Sequence, residues 1–435
     1  MKNKLEVGSI VELECVEMTY EGLGKCFYQN KPIFVLGLFV NEKALVKITK
    51  VLSKYFFGSV HKYLITSEKR EKIDLFYTIS GSAPLYGLDY EEQVKLKTEL
   101  INKFFNWKFP NLLNQKIEIE KSLNITHYRN KSRFVVKKVN NKNNLFSYEF
   151  NTNNLIKISD CPIIDNQSLF RKISDILSKL DSYERLDVYE VIGRIYDQNN
   201  YFIRINVNND KIDISKLQNL IEDKNNLLKL EIRSNKDNLL FSNADIQTKP
   251  IITLYNKPFY VDINSFFQID TKTFSKIIED VNNFINLNNN HLIDLYCGVG
   301  TLGICLYNEN FSIYGIEIDK KAIETSNHNL IINNIPNNKC KYVVGDAKNI
   351  KKENFDFAKT TLILDPPRSG IDKELINKIL DWKPQQLVYI SCDFKTQLRD
   401  LEFLLHEYKI EFYKGYDIFA QTMHFETIAI LKLKE

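Results

Sequence analysis

From residue 291 onward the chain alternates strand-length apolar runs with helix-like segments. The runs fall at 291–296, 311–317, 341–345, 361–365 and 387–391, and segments such as Lys320 to Asn333 and Lys373 to Leu380 read as helices between them. Parallel neighbours in a sheet need a long crossover, usually a helix. The rhythm therefore commits this region to an α/β fold, an open parallel sheet with helices on both faces. Ligands of such sheets bind outside the carboxyl ends of the strands. The residues that end the five runs are the ones to read for chemistry.

The first run leads into Asp294-Leu295-Tyr296-Cys297-Gly298-Val299-Gly300-Thr301, which looks like the first strand and turn of a nucleotide-cofactor fold. Gly298, Gly300 and Gly303 match G-x-G-x-x-G, a weak string that does not say whether a pyrophosphate is bound. Glu317 is the stronger signal: it ends the second run, nineteen residues past Gly298. An acid there hydrogen-bonds a ribose diol, which fits an adenosyl cofactor with or without phosphates. Asp346 ends the third run, Asp365 the fourth and Cys392 the fifth, so all four border one crevice with the glycine turn. The prolines of Asp365-Pro366-Pro367 stiffen their loop. Similar motifs serve amino-group methyltransferases, which need an acceptor for an N–H. Cys392 breaks that tie, because amine methylation needs no thiol. It lies in Ser391-Cys392-Asp393 at a strand end rather than inside an apolar run, as a reactive cysteine does. Glu426, in Met423-His424-Phe425-Glu426-Thr427, supplies a candidate base.

The rest of the chain carries less chemistry. Residues 6 to about 66 read as short strands with a glycine-marked turn at Tyr20 to Lys25, which suggests a small barrel. Lys47, Lys50, Lys54, Tyr55, Phe56, Phe57, His61 and Lys62 give it the basic, aromatic mixture that grips single-stranded nucleic acid. Asp89 to Phe105 has helical periodicity. Residues 110 to 250 mix strands (Ser132 to Val136, Tyr201 to Val207) with a helix (Leu169 to Leu180) and read as an α+β domain. Val139 to Asn144 and Ile285 to Asn290 read as solvated loops. The 435 residues suit two or three domains. A net charge of +4 permits a nucleic-acid partner without requiring one. The N-terminus has no apolar signal region and no run is long enough to span a bilayer, so a cytoplasmic protein with no membrane association is expected. Seven cysteines, at 15, 26, 161, 297, 305, 340 and 392, include no C-x-x-C pair. That argues against a disulfide framework and a local zinc knuckle, and no metal site is expected.

These residues resemble the RNA uracil-5 methyltransferase family, which includes enzymes acting on 23S rRNA and on the tRNA T-loop. The resemblance runs over nearly the whole chain. It covers Val7 to Arg70 (with Glu21-Gly22-Leu23-Gly24), Tyr90 to Lys97, Tyr128-Arg129-Asn130-Lys131 and Ser265-Phe266-Phe267-Gln268. It is most specific at Cys392 to Leu401 and His424-Phe425-Glu426. It implies an OB-like β-barrel of the TRAM type over 1–66 and an α+β central domain over 67–255, whose 89–110 helix packs on the catalytic domain. Residues 256–435 would be a Rossmann-like class I methyltransferase domain. It further implies S-adenosylmethionine as cofactor, lined by Gln268, Tyr296, Glu317 and Asp346, with Gly298 and Thr301 in the turn. Asp365 would lie between cofactor and uracil, Cys392 would be the nucleophile and Glu426 the base. The partner implied is RNA, 23S rRNA ahead of tRNA, acted on by a monomer. Many rRNA-directed relatives hold an iron–sulfur cluster on four cysteines, three of them just after the barrel. The matching stretch here is Ser80 to Leu85, with Ser80 and Ala83 where cysteines are expected, and Cys161 alone resembles the fourth ligand. One thiolate cannot hold such a cluster, so no iron–sulfur cluster is expected and packing should hold that region. Two other readings stay open. An RNA-binding protein without turnover is weighed against by intact Cys392, Asp365 and Glu426, and an amino-group methyltransferase by Cys392.

Overall fold

The computed structural model describes residues 5–110, 112, 116–183, 186–213, 217, 226–243, 250–286 and 288–435. The N-terminal strands Ile10–Glu14, Glu17–Met18, Leu23–Tyr28, Lys31–Leu36, Lys43–Val51 and Phe56–Ile65 form one six-stranded sheet. Ala44, Val46 and Ile48 alternate inward along one strand, as a half-buried strand requires. The run Ile10 to Met18 bends at Cys15. Its first part pairs with Lys43–Val51 and its last with Leu23–Tyr28, so the sheet curls around Cys15, Cys26, Ile33 and Val35. Phe56 belongs to that interior, at 6% exposed, so the sequence reading that put it among surface aromatics is corrected. Phe34, Tyr55 and Phe57 form the outward ring cluster instead.

The middle of the chain holds a seven-stranded sheet with the helix Gln167–Leu180 against one face. The expected loop at Val139 to Asn144 is a hairpin: Val139 pairs with Lys142, and only Asn140 and Asn141, at φ 51° and 59°, make the turn. Two asparagines with positive φ suit a tight hairpin turn, and polar strand residues disguised it. Nor is Ile285 to Asn290 wholly solvated, since Ile285 and Asn289 are buried and Asn289 Nδ2 donates to Thr361 Oγ1 at 2.8 Å. Position 287 of that stretch lies outside the described residues.

The C-terminal sheet contains strands β1 (His291–Leu295), β2 (Ser312–Glu317), β3 (Cys340–Val344), β4 (Thr360–Leu364), β5 (Gln386–Ser391), β6 (Tyr408–Tyr416) and β7 (Glu426–Leu433). Their order is β3-β2-β1-β4-β5-β7-β6, the first five parallel, with Ile119–Glu120 beyond β6. The helices are α1 (Thr271–Phe284), α2 (Thr301–Cys305), α3 (Lys320–Ile332), α4 (Lys373–Trp382) and α5 (Phe394–Leu404). β4 and β5 are buried along their whole length, as strands covered on both faces are. The strand order reverses between β1 and β4, which makes the crevice at their carboxyl ends the place for a ligand. The helix Tyr90–Lys108 starts on an Asp89 cap and buries Val94, Ile101 and Phe105 in the core shared with Tyr389 and Leu398. No described helix is long and apolar enough to cross a membrane.

Candidate active site

The ends of β1, β2 and β3 build one half of the crevice. After β1, Tyr296 turns the chain at φ 65°, and Gly300, at φ 82°, opens α2 with Thr301 as its first residue. A Cβ on Gly298 would meet nothing within 4 Å, so its backbone faces open space. Glu317 closes β2 and accepts from Gly298 N–H at 3.2 Å and Asp319 N–H at 3.0 Å. One bond to each carboxylate oxygen leaves lone pairs on both. Asp346 lies two residues past β3 and accepts from Lys348 N–H at 3.1 Å. Burial, followed by the charge of Asp346, pushes the Tyr296 hydroxyl up to about 12. Gln268 enters from the segment before α1, its carbonyl held by Asn130 Nδ2 at 2.8 Å.

Asp294, 1% exposed, accepts from Gly303 N–H at 3.1 Å through Oδ2, while Oδ1 is buried without a partner. Burial pushes this carboxyl up to about 8. An orphaned polar atom beside the turn, an open glycine face and a carboxylate with spare lone pairs at the end of β2 together fit an adenosyl cofactor with a polar tail.

The ends of β4, β5 and β7 build the other half. Leu364 pairs with Tyr389, and Ser391 with Thr427. Extending each register by one residue sets Asp365 beside Ile390 and Glu426 beside Cys392. Glu426 therefore stands directly beside Cys392, roughly 5 Å away in backbone spacing, and Asp365 lies on the strand to the other side, level with Ile390 and so two residues short of the thiol. The electrostatics agree. Burial, then the charge of Glu426 and that of Asp365, push the Cys392 thiol up to about 11, while Arg368 pulls it down by its charge and a side-chain hydrogen bond. Burial, then Asp365, holds Glu426 well above the usual carboxylate range, and burial pushes Asp365 up to about 7. Glu426 is only 7% exposed.

Local folding sets the Cys392 turn. Asp393 caps α5, accepting from Lys395 and Thr396 N–H, and Ser391 Oγ donates to Asp393 O at 3.0 Å. The loop after Asp365 is tied to the same helix. Arg399 Nη2 donates to Ser369 O at 2.9 Å, Ile371 N–H donates to Asp400 Oδ2 at 2.8 Å, and Tyr389 Oη donates to that oxygen at 2.7 Å. The fully buried Asp400 thereby couples the loop carrying Arg368 to the helix that follows Cys392. Sequence reasoning gave no role to Arg368, to Asp400 or to the exposed Phe266, 78% accessible and two residues before Gln268. An arginine directly after a stiff diproline was the one signal available.

Elsewhere, Ser80 Oγ lies 3.0 Å from Ser82 Oγ, Ala83 packs with Tyr77, Tyr128 and Ile164, and Cys161 Sγ donates to Asp165 O at 3.4 Å. Among the described residues, no group of three or more His, Cys, Asp or Glu is arranged to hold a metal ion.

The model of the tRNA (uracil-5-)-methyltransferase family matches residues 89–434. An uncharacterised RNA methyltransferase of Enterococcus faecalis is 26% identical, with 99% of each chain covered. Another, from Mycoplasma mobile, is 28% identical over 97% of this chain and 98% of its own. The crystal structure of Pyrococcus abyssi tRNA (uracil-54, C5)-methyltransferase in complex with S-adenosyl-L-homocysteine superposes with a TM-score of 0.77, covering 96% of this chain and 99% of that one. At 19% identity that likeness speaks for the fold alone. With its family's model matched over most of its length, the chain belongs to the tRNA (uracil-5-)-methyltransferase family and is an S-adenosylmethionine-dependent RNA (uracil-C5)-methyltransferase.

Proposed function

We propose that Cys392, Glu426 and Asp365 carry out C5 methylation of a uridine in 23S rRNA. The observation that carries the assignment is the half-buried thiol with Glu426 beside it and Asp365 on the strand to its other side. Uracil C5 is a poor nucleophile, and thiolate addition to C6 turns the ring into an enolate with electron density at C5. S-adenosylmethionine, when bound, supplies an electrophilic methyl group. Glu426 then takes the C5 proton, the C6–S bond breaks and the thiolate leaves. Asp365 would hydrogen-bond the base, and Arg368, whose charge acts on the thiol, would favour the thiolate. The exposed Phe266 ring offers a stacking face for a base drawn from its helix or loop, an extraction that costs a few kcal/mol.

For the cofactor, Glu317 would accept the ribose hydroxyls, and Tyr296, Gly298, Thr301, Asp346 and Gln268 would line the remainder. The curled N-terminal sheet would be a TRAM-type barrel that grips RNA through Lys47, Lys50, Lys54, Tyr55 and Phe57. The domain limits would be 1–66, 67–255 and 256–435, and the protein would act as a monomer. The resemblance of the N-terminal and middle stretches favours rRNA. The fold likeness to an enzyme named for tRNA uracil-54 favours tRNA as the second reading. Incubating unmodified 23S rRNA and tRNA transcripts with enzyme and cofactor, followed by nucleoside mass spectrometry, tests the choice. 5-Methyluridine in the rRNA supports the first reading, and 5-methyluridine in tRNA alone replaces it with the second.

A further inference from the structure

The glycine-marked turn at Tyr20 to Lys25 lies against both loops assigned to the chemistry. Gly22 has φ 83°, and a Cβ there would come 3.1 Å from Pro84 Cβ and 3.2 Å from Met423 Cγ. Tyr20 presents its ring to Lys395 Nζ, 3.1 Å from the ring centroid. Glu21 and Asp393 both act on the Lys395 charge. Lys395 lies three residues after Cys392, and Met423 three before Glu426. The turn is itself rigid: Thr19 N–H donates to Leu23 O at 2.8 Å, Gly22 N–H to Thr19 O at 3.1 Å and Leu23 N–H to Thr19 Oγ1 at 3.0 Å.

The segment between β6 and β7 has a second anchor. Lys97 Nζ and Asp417 Oδ1 pair at 2.5 Å, both side chains fully buried, and Tyr90 Oη donates to Asp417 Oδ2 at 3.0 Å. Gln93 and Gln421 exchange two hydrogen bonds, at 3.0 and 3.1 Å. These hold the start of the segment. Its later part, at Met423, rests on Phe39, Leu85 and Leu88 and on the Gly22 turn.

We propose that the Tyr20–Gly22 turn is a positioning element of the active site, clamping Lys395 and Met423 and so setting the separation of Cys392 and Glu426. Those two groups must reach C6 and C5 of one ring from different loops, and a misplacement of about 1 Å costs roughly 100-fold in rate. The N-terminal sheet would then act on turnover as well as on RNA affinity. The inference rests on the roles given above to Cys392 and Glu426, so its first readout uses no RNA.

The full-length chain and its Tyr20→Ala, Tyr20→Phe and Gly22→Val variants are treated with iodoacetamide and each cysteine is mapped by peptide mass spectrometry. Loosening the clamp in Tyr20→Ala and Gly22→Val should speed modification of Cys392 by about threefold or more. The buried Cys15, Cys26, Cys297, Cys305 and Cys340 should stay protected, and Tyr20→Phe, which keeps the ring, should match the parent. On the transcript that accepts methyl, Tyr20→Ala should lower kcat by about tenfold or more with KM little changed. Three results would overturn the inference. One is an unchanged Cys392 rate in both disrupted variants, and another is a raised KM at constant kcat, as a plain RNA contact gives. The third is exposure of all the cysteines together, as loss of the fold gives.

Discussion

Replacing Glu426 with Gln should make Cys392 a more reactive thiol while abolishing turnover. The Cys392 thiol is pushed up from 9.0 to about 11, by burial first and the Glu426 charge second. At pH 8 that leaves about one thiolate in a thousand, against about one in ten for a thiol at 9.0. Higher basicity raises intrinsic nucleophilicity with a Brønsted slope of about 0.4–0.5, which recovers part of the loss, so the parent should react about tenfold more slowly than a free thiol. The Glu426 charge is the second cause, so removing it should lower the thiol. For each tenfold gain in thiolate fraction nucleophilicity falls about threefold, so alkylation at fixed pH speeds up about threefold. Arg368→Ala should move the rate the other way, since Arg368 pulls the thiol down. The assay is iodoacetamide modification of Cys392 between pH 7 and 10, followed by mass spectrometry. The parent rate should keep climbing through pH 10. A plateau near pH 8, or a slower reaction in Glu426→Gln, would refute the placement of Glu426 beside the thiol.

Three further perturbations probe other parts of the molecule. Glu317→Ala should weaken S-adenosylhomocysteine binding by roughly 10- to 100-fold in calorimetry, because hydrogen bonds to a charged acceptor are worth about 1.5–3 kcal/mol; unchanged affinity would remove Glu317 from the site. Asp365 is raised from 3.8 to about 7 by burial, so the folded chain binds this proton more tightly than the unfolded one and stability falls as pH rises from about 4 to 7. Asp365→Asn should lack that fall, giving an advantage in urea midpoint over the parent at pH 8 that shrinks at pH 5, while activity is lost. In the N-terminal sheet, Glu42 is fully buried and pairs with Arg70 at 2.6 Å; Glu42→Ala should lower stability by about 3–5 kcal/mol in denaturant titration, and a loss under about 1 kcal/mol would show the pair adds little.

The five parallel strands were legible because each is an apolar run ending at or just before a residue with chemistry, and all five join one parallel sheet. The placement of Glu317, Asp346, Asp365 and Cys392 at or just past the ends of those strands was legible for the same reason, since strand ends converge in a parallel sheet. Less visible were β6 and β7, whose antiparallel return past β5 is set by tertiary pairing rather than local pattern. The strand Ile119–Glu120 is too short for any periodicity, yet it joins the edge of the catalytic sheet. Phe56 and Phe57 are adjacent and aromatic, and only the curl of the sheet decides that Phe56 goes inside. The buried Lys97–Asp417 pair joins residues 320 positions apart, a contact no local reading can supply. Arg368 acts on Cys392 through a loop whose path depends on Arg399 and Asp400.

The central claim is covalent C5 substitution by Cys392, and tritium release tests it most directly. RNA transcripts labelled with tritium at uridine C5 are incubated with the protein and S-adenosylmethionine. Covalent substitution predicts cofactor-dependent release of tritium to water, matched by methyl incorporation and absent from Cys392→Ala. Release that persists in Cys392→Ala, or methyl transfer to RNA with tritium retained, would contradict it.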